Sequence, residues 1–137
     1  LMSHTEIIPM INQIETHPAF PQDELRAFMA QHAIIHEAWG PLGQGKNDLL
    51  TQAVLLELAE QYGKTPAQIV LRWHIERGIV VIPKSVTPSR IRENRDIFDF
   101  SLSKEDMDKV ATLNTGERYS GNPDDQEFLT RTSIRPN

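Results

Sequence analysis

The chain has 137 residues, enough for one domain with a buried core or for a piece of a larger one. Hydrophobic residues make up 39% and charged residues 24%, the balance of an ordinary globular protein rather than a disordered one. A formal net charge of -5 argues against a general nucleic-acid binder, and no apolar run approaches the ~20 residues of a membrane-spanning helix.

There is no cysteine, so disulfides and thiolate metal sites are excluded, and a cytoplasmic location is expected. The start, Leu1-Met2-Ser3-His4, lacks the basic-then-apolar pattern of a secretion signal. Leu1 precedes the methionine and a strand pattern follows almost at once, so an upstream part is expected to be missing. The first strand is expected over 7–14, centred on Ile8, Met10 and Ile11. Pro18 and Pro21 bracket a turn, and a helix over 22–32 sets Leu25, Phe28 and Met29 on one face. A second short strand over 33–39 stops at Gly40-Pro41, and 42–48 is a turn-rich loop.

The next helix, over 51–62, buries Val54, Leu55, Leu58 and Ala59 and ends at Gly63. Thr65-Pro66-Ala67-Gln68 is a capping box with proline at the first turn. Its helix carries Ala67, Val70, Leu71 and His74 on one stripe, with Ile69 and Trp73 beside it, and Gly78 stops it.

The segment 78–94 is the most informative. Ile79, Val80, Val81 and Ile82 read as a strand buried on both faces. Pro83 ends it, Lys84 and Ser85 follow, and Thr87-Pro88 opens a helix with Thr87 as N-cap. Cationic side chains beside a helix start suit a bound anion, most simply a phosphate, with Arg90 gripping through two hydrogen bonds and Lys84 as a point charge. A solvated basic patch of Lys84, Arg90, Arg92 and Arg95 is the alternative, and the segment alone leaves it open. Ser103 to Asp106 caps a last helix ending near 113. Beyond it lies a polar tail with Phe128 and Leu129 as isolated apolar anchors.

Short strands alternating with helices predict an α/β fold with a parallel sheet, in which ligands gather at the carboxyl ends of the strands. Polar residues collect at those ends: Asn12, Gln13 and Glu15, then His36, Glu37 and Trp39, then Lys84 and Ser85. His36-Glu37 lacks a second histidine four residues on, so no metal site is expected. His17, His32 and His74 are expected to be structural or solvated, and Asp124 and Asp125 to lie in a solvated loop.

Five stretches carry a resemblance. They are Asn12-Gln13-Ile14-Glu15-Thr16-His17-Pro18, Glu37-Ala38-Trp39-Gly40-Pro41-Leu42-Gly43, Thr65-Pro66-Ala67-Gln68 through Leu71-Arg72-Trp73, Ile82-Pro83-Lys84-Ser85 with Arg90 to Asn94, and Phe98 to Ser103 with the late Arg118. In order and spacing the chain resembles the aldo-keto reductases, especially the bacterial branch similar to 2,5-diketo-D-gluconate reductases. The resemblance implies the C-terminal part of a (β/α)8 TIM barrel, about strands six to eight with their helices. Residues 1–113 would be that half barrel, and 114–137 a tail over the substrate pocket.

The resemblance also implies an NADPH site. Gln13 would bind the nicotinamide carboxamide and Trp39 would stack on the nicotinamide ring. Leu42 and Gln44 would lie along the pyrophosphate, although Gln44 replaces the serine common in other branches. Lys84, Ser85 and Arg90 would hold the adenosine 2′-phosphate, and Glu93 and Asn94 would contact adenine. The family's catalytic tyrosine, lysine, aspartate and histidine come from the first half of the barrel. Tyr62 and Tyr119 match none of them, so no catalytic residue is expected here and the chain alone should be inactive. The implied function is NADPH-dependent reduction of aldehydes or ketones in the intact protein. A non-catalytic nucleotide-binding or protein-interaction module on the same fold is the alternative. About three parallel strands cannot close a barrel, so the missing N-terminal half or self-association is an expected partner, besides a small carbonyl substrate.

Overall fold

The computed structural model describes residues 2–4, 6–45, 47–127 and 130, so the expected anchors Phe128 and Leu129 lie outside the described residues. Strands β1 (Ile11–Glu15), β2 (Ile35–Trp39) and β3 (Val80–Val81) form a parallel sheet in the order β1-β2-β3. Among the described residues it is accompanied by helices α1 (Asp23–Gln31), α2 (Ala53–Tyr62), α3 (Pro66–Glu76), α4 (Pro88–Arg95) and α5 (Lys104–Ala111). The period of two in strands divides the side chains between two faces. Register pairs Gln13 with Glu37, Glu15 with Trp39 and Glu37 with Val80, and these share one face. Asn12, His36, Ala38 and Val81 share the other, where Ala38 and His36 are buried.

The core lies among the helices. Leu55, Leu58, Ile69, Val70, Trp73 and Val110 form one buried cluster from α2, α3 and α5. The start of α3 is fixed as its sequence predicts. Thr65 Oγ1 accepts from the Gln68 backbone N–H, and the Thr65 N–H donates to Gln68 Oε1 at 2.9 Å. Gln68 does more than cap. Its buried Nε2 donates to the carbonyls of Glu93 (3.2 Å) and Asp96 (2.8 Å), tying α3 to the end of α4. Lys64 Nζ bonds Asp99 Oδ2 at 2.7 Å and Arg72 donates to the Ile97 carbonyl at 3.0 Å, so three side chains hold the 93–99 segment in place.

Several expectations need correction. The stretch 79–82 is not a strand buried on both faces. Only Val80–Val81 pairs, and Val80 and Ile82 are 43% and 49% exposed while Ile79 is buried. The cause is geometric: β3 pairs only with β2, and among the described residues nothing covers the sheet's second face. The first strand begins at Ile11 rather than at 7, leaving Ile7, Ile8 and Met10 exposed. The second begins at Ile35 because α1 ends through Ala33 at φ 56°, a left-handed residue that strand pairing cannot use. A 3-10 turn, Leu49–Thr51, precedes α2, which begins at Ala53 rather than at 51. Thr87 occupies the N-cap position of α4 without capping by its side chain, and its own N–H donates to Ser85 Oγ at 3.2 Å.

Candidate functional site

Strand ends, a glycine-flanked loop and two helix starts enclose a cleft of about 790 Å³. One wall is the loop after β2, with Gly40, Leu42 and Gln44. The opposite wall is the segment after β3, with Lys84 and Ser85, continuing into α4 with Arg90, Glu93 and Asn94. The beginning of α3, Thr65 to Ala67, also lines it. Seven of the nine expected site residues therefore line one cavity: Leu42, Gln44, Lys84, Ser85, Arg90, Glu93 and Asn94. The other two, Gln13 and Trp39, belong to the adjoining sheet face. Trp39 immediately precedes Gly40 at the cleft edge, and Gln13 lies one strand further away, where its Nε2 donates to Glu37 Oε1.

The loop wall is sharply curled. Gly43, Gln44 and Gly45 take φ values of 68°, 56° and 70°, three successive left-handed residues. Only Gln44 carries a Cβ there, a conformation that costs about 1–2 kcal/mol, and such conformations persist where surrounding packing enforces them. On the opposite wall, Lys84 and Arg90 are exposed to the cavity, and among the described residues neither forms an ion pair. Two uncommitted cations and a hydroxyl on a concave surface can hold an anion.

Not every polar residue near the strand ends faces this region. Asn12 and His36, grouped with the rim by sequence, are register partners on the opposite face. His36 Nε2 lies 2.8 Å from Thr16 Oγ1, and burial, aided by the charges of Arg77 and Arg26, pushes its pKa down to about 4. His74 is fully buried, with Nδ1 at 2.7 Å from the Val70 carbonyl and Nε2 at 3.0 Å from that of Thr16. Burial outweighs both contacts and takes it down to about 4, so the ring is neutral and donates to one carbonyl at a time. These histidines are structural. Tyr62 Oη donates to Asp106 Oδ2 at 2.6 Å, and Arg118 lies 4.7 Å from the centre of the Phe20 ring. Among the described residues no group of three or more histidines or carboxylates is placed to hold a metal.

The sequence flagged Glu15 as a rim residue but gave no sign of its partners. It is buried at the end of β1 and bonded to Tyr119 and Ser120, more than a hundred positions later. No local pattern encodes a contact of that range.

The sequence model of the aldo/keto reductase family matches residues 1–115. The chain belongs to that family. It is 52% identical over 124 residues to the methylglyoxal reductase DkgA of Escherichia coli (strain K12), covering 90% of this chain and 45% of the relative. It is 46% identical over 129 residues to 2,5-diketo-D-gluconic acid reductase B of Corynebacterium sp. (strain SHS752001), covering 94% and 46%. Among solved structures, the aldo-keto reductase MGS-M4, from a Medee basin deep-sea metagenome library, superposes with a TM-score of 0.89 at 42% identity, over 91% of this chain and 46% of that one. A point mutant of Gox0644 in complex with NADPH superposes with a TM-score of 0.79 at 44% identity, over 82% and 41%. This aldo/keto reductase chain thus spans under half the length of the relatives it matches, and its parallel strands and helices are part of a TIM barrel.

Proposed function

We propose that this chain is the nucleotide-binding half of an NADPH-dependent reductase of small aldehydes and ketones, with residues 1–113 as the half barrel and 114–137 as a tail beside the substrate pocket. The observation that carries the reading is the convergence of Lys84, Ser85 and Arg90 with Leu42, Gln44, Glu93 and Asn94 on one cleft. The donor set fits the cofactor. Uncommitted cations suit the adenosine 2′-phosphate, with Arg90 able to form two parallel hydrogen bonds and Lys84 supplying charge. Glu93 and Asn94 offer an acceptor and an amide to adenine. Leu42 and Gln44 border the pyrophosphate path. Beyond the cleft edge, Trp39 presents a flat apolar face to the nicotinamide, and Gln13, with one N–H given to Glu37, offers the carboxamide its amide oxygen and its second N–H.

NADPH supplies the hydride. The residues of this chain bind and orient it, and selection for the phosphorylated cofactor falls to Lys84, Ser85 and Arg90. The chain's tyrosines are placed for other work, Tyr62 against Asp106 and Tyr119 against His17, so the proton donor comes from the first half of the barrel. That half also covers the exposed face bearing Ile11, Ile35 and Val80. The printed names of the relatives, reductases of methylglyoxal and of 2,5-diketo-D-gluconic acid, support a small carbonyl substrate. A cysteine-free chain using reduced nucleotide suits the cytoplasm.

The test uses the full-length gene product carrying this chain. NADPH and NADH are titrated by fluorescence, and NADPH oxidation is followed with methylglyoxal. Tight NADPH binding with turnover is the expected outcome. Binding without turnover on any small carbonyl would favour the non-catalytic module, and failure to bind either nucleotide would sink the reading.

A further inference from the structure

A carboxylate at the end of a strand is ordinarily wet, yet Glu15 is only 3% exposed. Its burial is compensated in full. Oε1 accepts the Tyr119 backbone N–H at 2.6 Å and His17 Nε2 at 3.1 Å, and Oε2 accepts the Ser120 hydroxyl. Burial alone would raise its pKa, but the bonds from Ser120, Tyr119 and His17 outweigh it and hold the carboxyl below its ordinary value. A carboxylate cannot donate, so His17 carries its proton on Nε2. Its buried Nδ1 has no partner, which a bare lone pair tolerates better than an N–H would. The neutral imidazole stacks on the Tyr119 ring, with centroids 4.1 Å apart and planes at 24°.

The same tyrosine ring lies against the wall of the cleft. A Cβ built on Gly43 would sit 3.1 and 3.2 Å from its Cδ2 and Cε2. Gly43 opens the Gly43–Gly45 turn, in which Gln44 is held left-handed. One chain of contacts therefore runs from the end of β1, through the tail, into the loop that borders the cleft.

We propose that Glu15 is a positioning residue for the nucleotide: it clasps Tyr119 onto Gly43 and so holds the Gly43–Gly45 turn in the shape that walls the cleft. The inference rests on the cofactor reading above. The turn stores an unfavourable residue at Gln44, and packing from the tail is what enforces it. Releasing Tyr119 lets the turn relax, and Leu42 and Gln44 lose their place along the cleft.

The test uses the full-length gene product. Glu15→Ala and Tyr119→Ala are each expected to weaken NADPH about tenfold, with the double variant no worse than either, the non-additivity of residues that act as one unit. Glu15→Gln keeps an oxygen for the Tyr119 N–H and offers an N–H to the Ser120 hydroxyl, so it should bind within about threefold of wild type. Amide hydrogen exchange, measured without nucleotide, should rise together at Tyr119 and through Leu42, Gln44 and Gly45 in both alanine variants. Should Glu15→Ala not fold, Tyr119→Ala carries both measurements. Additive losses, unchanged affinity in Tyr119→Ala, or faster exchange at Tyr119 with a silent loop would each overturn the clasp. A wild-type protein that ignores NADPH sinks the cofactor reading instead, and the exchange pattern alone then decides whether the contact network holds the loop.

Discussion

Lys84, just beyond β3, and Arg90, in the first turn of α4, line the same cleft six positions apart, and among the described residues neither faces a carboxylate partner. Their charge is available to a ligand. Arg90→Ala should weaken NADPH about tenfold to a hundredfold, the scale of hydrogen bonds to charged groups, and leave NADH nearly untouched. Fluorescence titration of both cofactors decides it, and equal losses would refute the 2′-phosphate assignment.

Gly43 and Gly45 share a left-handed conformation but not an environment. A Cβ at Gly45 meets nothing within 4 Å, whereas at Gly43 it meets the Tyr119 ring at 3.1 Å. Gly45→Ala should cost about 1–2 kcal/mol from backbone strain, and Gly43→Ala roughly 1–3 kcal/mol more from overpacking. Urea unfolding midpoints compare them. Equal costs would mean the ring does not press on the loop.

Thr65 and Thr87 both precede proline at a helix start, and only Thr65 caps. The third helical residue explains this: Gln68 reciprocates in α3, while Arg90 in α4 has no acceptor to offer. Thr65→Ala is expected to cost about 1 kcal/mol, and Thr87→Ala to stay within about 0.5 kcal/mol. Thermal or urea denaturation of the pair tests it; similar losses would contradict the capping difference.

Acidification should destabilise the fold well above the carboxylate range. His36 and His74 are held down to about 4 by burial, against an ordinary value of 6.5. Between those values the unfolded chain binds protons that the folded one refuses. The contribution is complete above pH 6.5 and lost as pH falls, at up to about 1.4 kcal/mol per pH unit for each ring. His17, also lowered, pushes in the same direction below pH 6.5, and the lowered Glu15 adds to it only below its ordinary value of 4.5. Urea midpoints that stay level from about pH 7.5 to about pH 5 would show that the rings titrate normally.

What could be read from sequence was local. The helices, the Thr65 box, the parallel sheet and the nearness of Lys84, Ser85 and Arg90 follow from short-range patterns and strand-to-helix alternation, whereas Glu93 and Asn94 entered only through the family resemblance. The β-branched run at 79–82 misled because its composition reports burial in a closed sheet, and the described residues leave one face uncovered. His36 was placed with the rim because adjacency in sequence hides the alternation of faces, which register with Asn12 exposes. The Glu15–Tyr119 clasp and the second task of Gln68, holding the end of α4, depend on residues brought together by tertiary packing.

The sheet's bare side divides the proposed cofactor site unequally. In the proposed reading the phosphorylated adenosine end would meet only residues 40–94, all from this chain, while Gln13 and Trp39 lie on the sheet face that the described residues leave uncovered. An adenosine 2′,5′-bisphosphate would therefore find its berth in the isolated chain, whereas seating the redox ring would wait for the proposed first half of the barrel. The two ends of a single dinucleotide would then gauge separate stages of assembly.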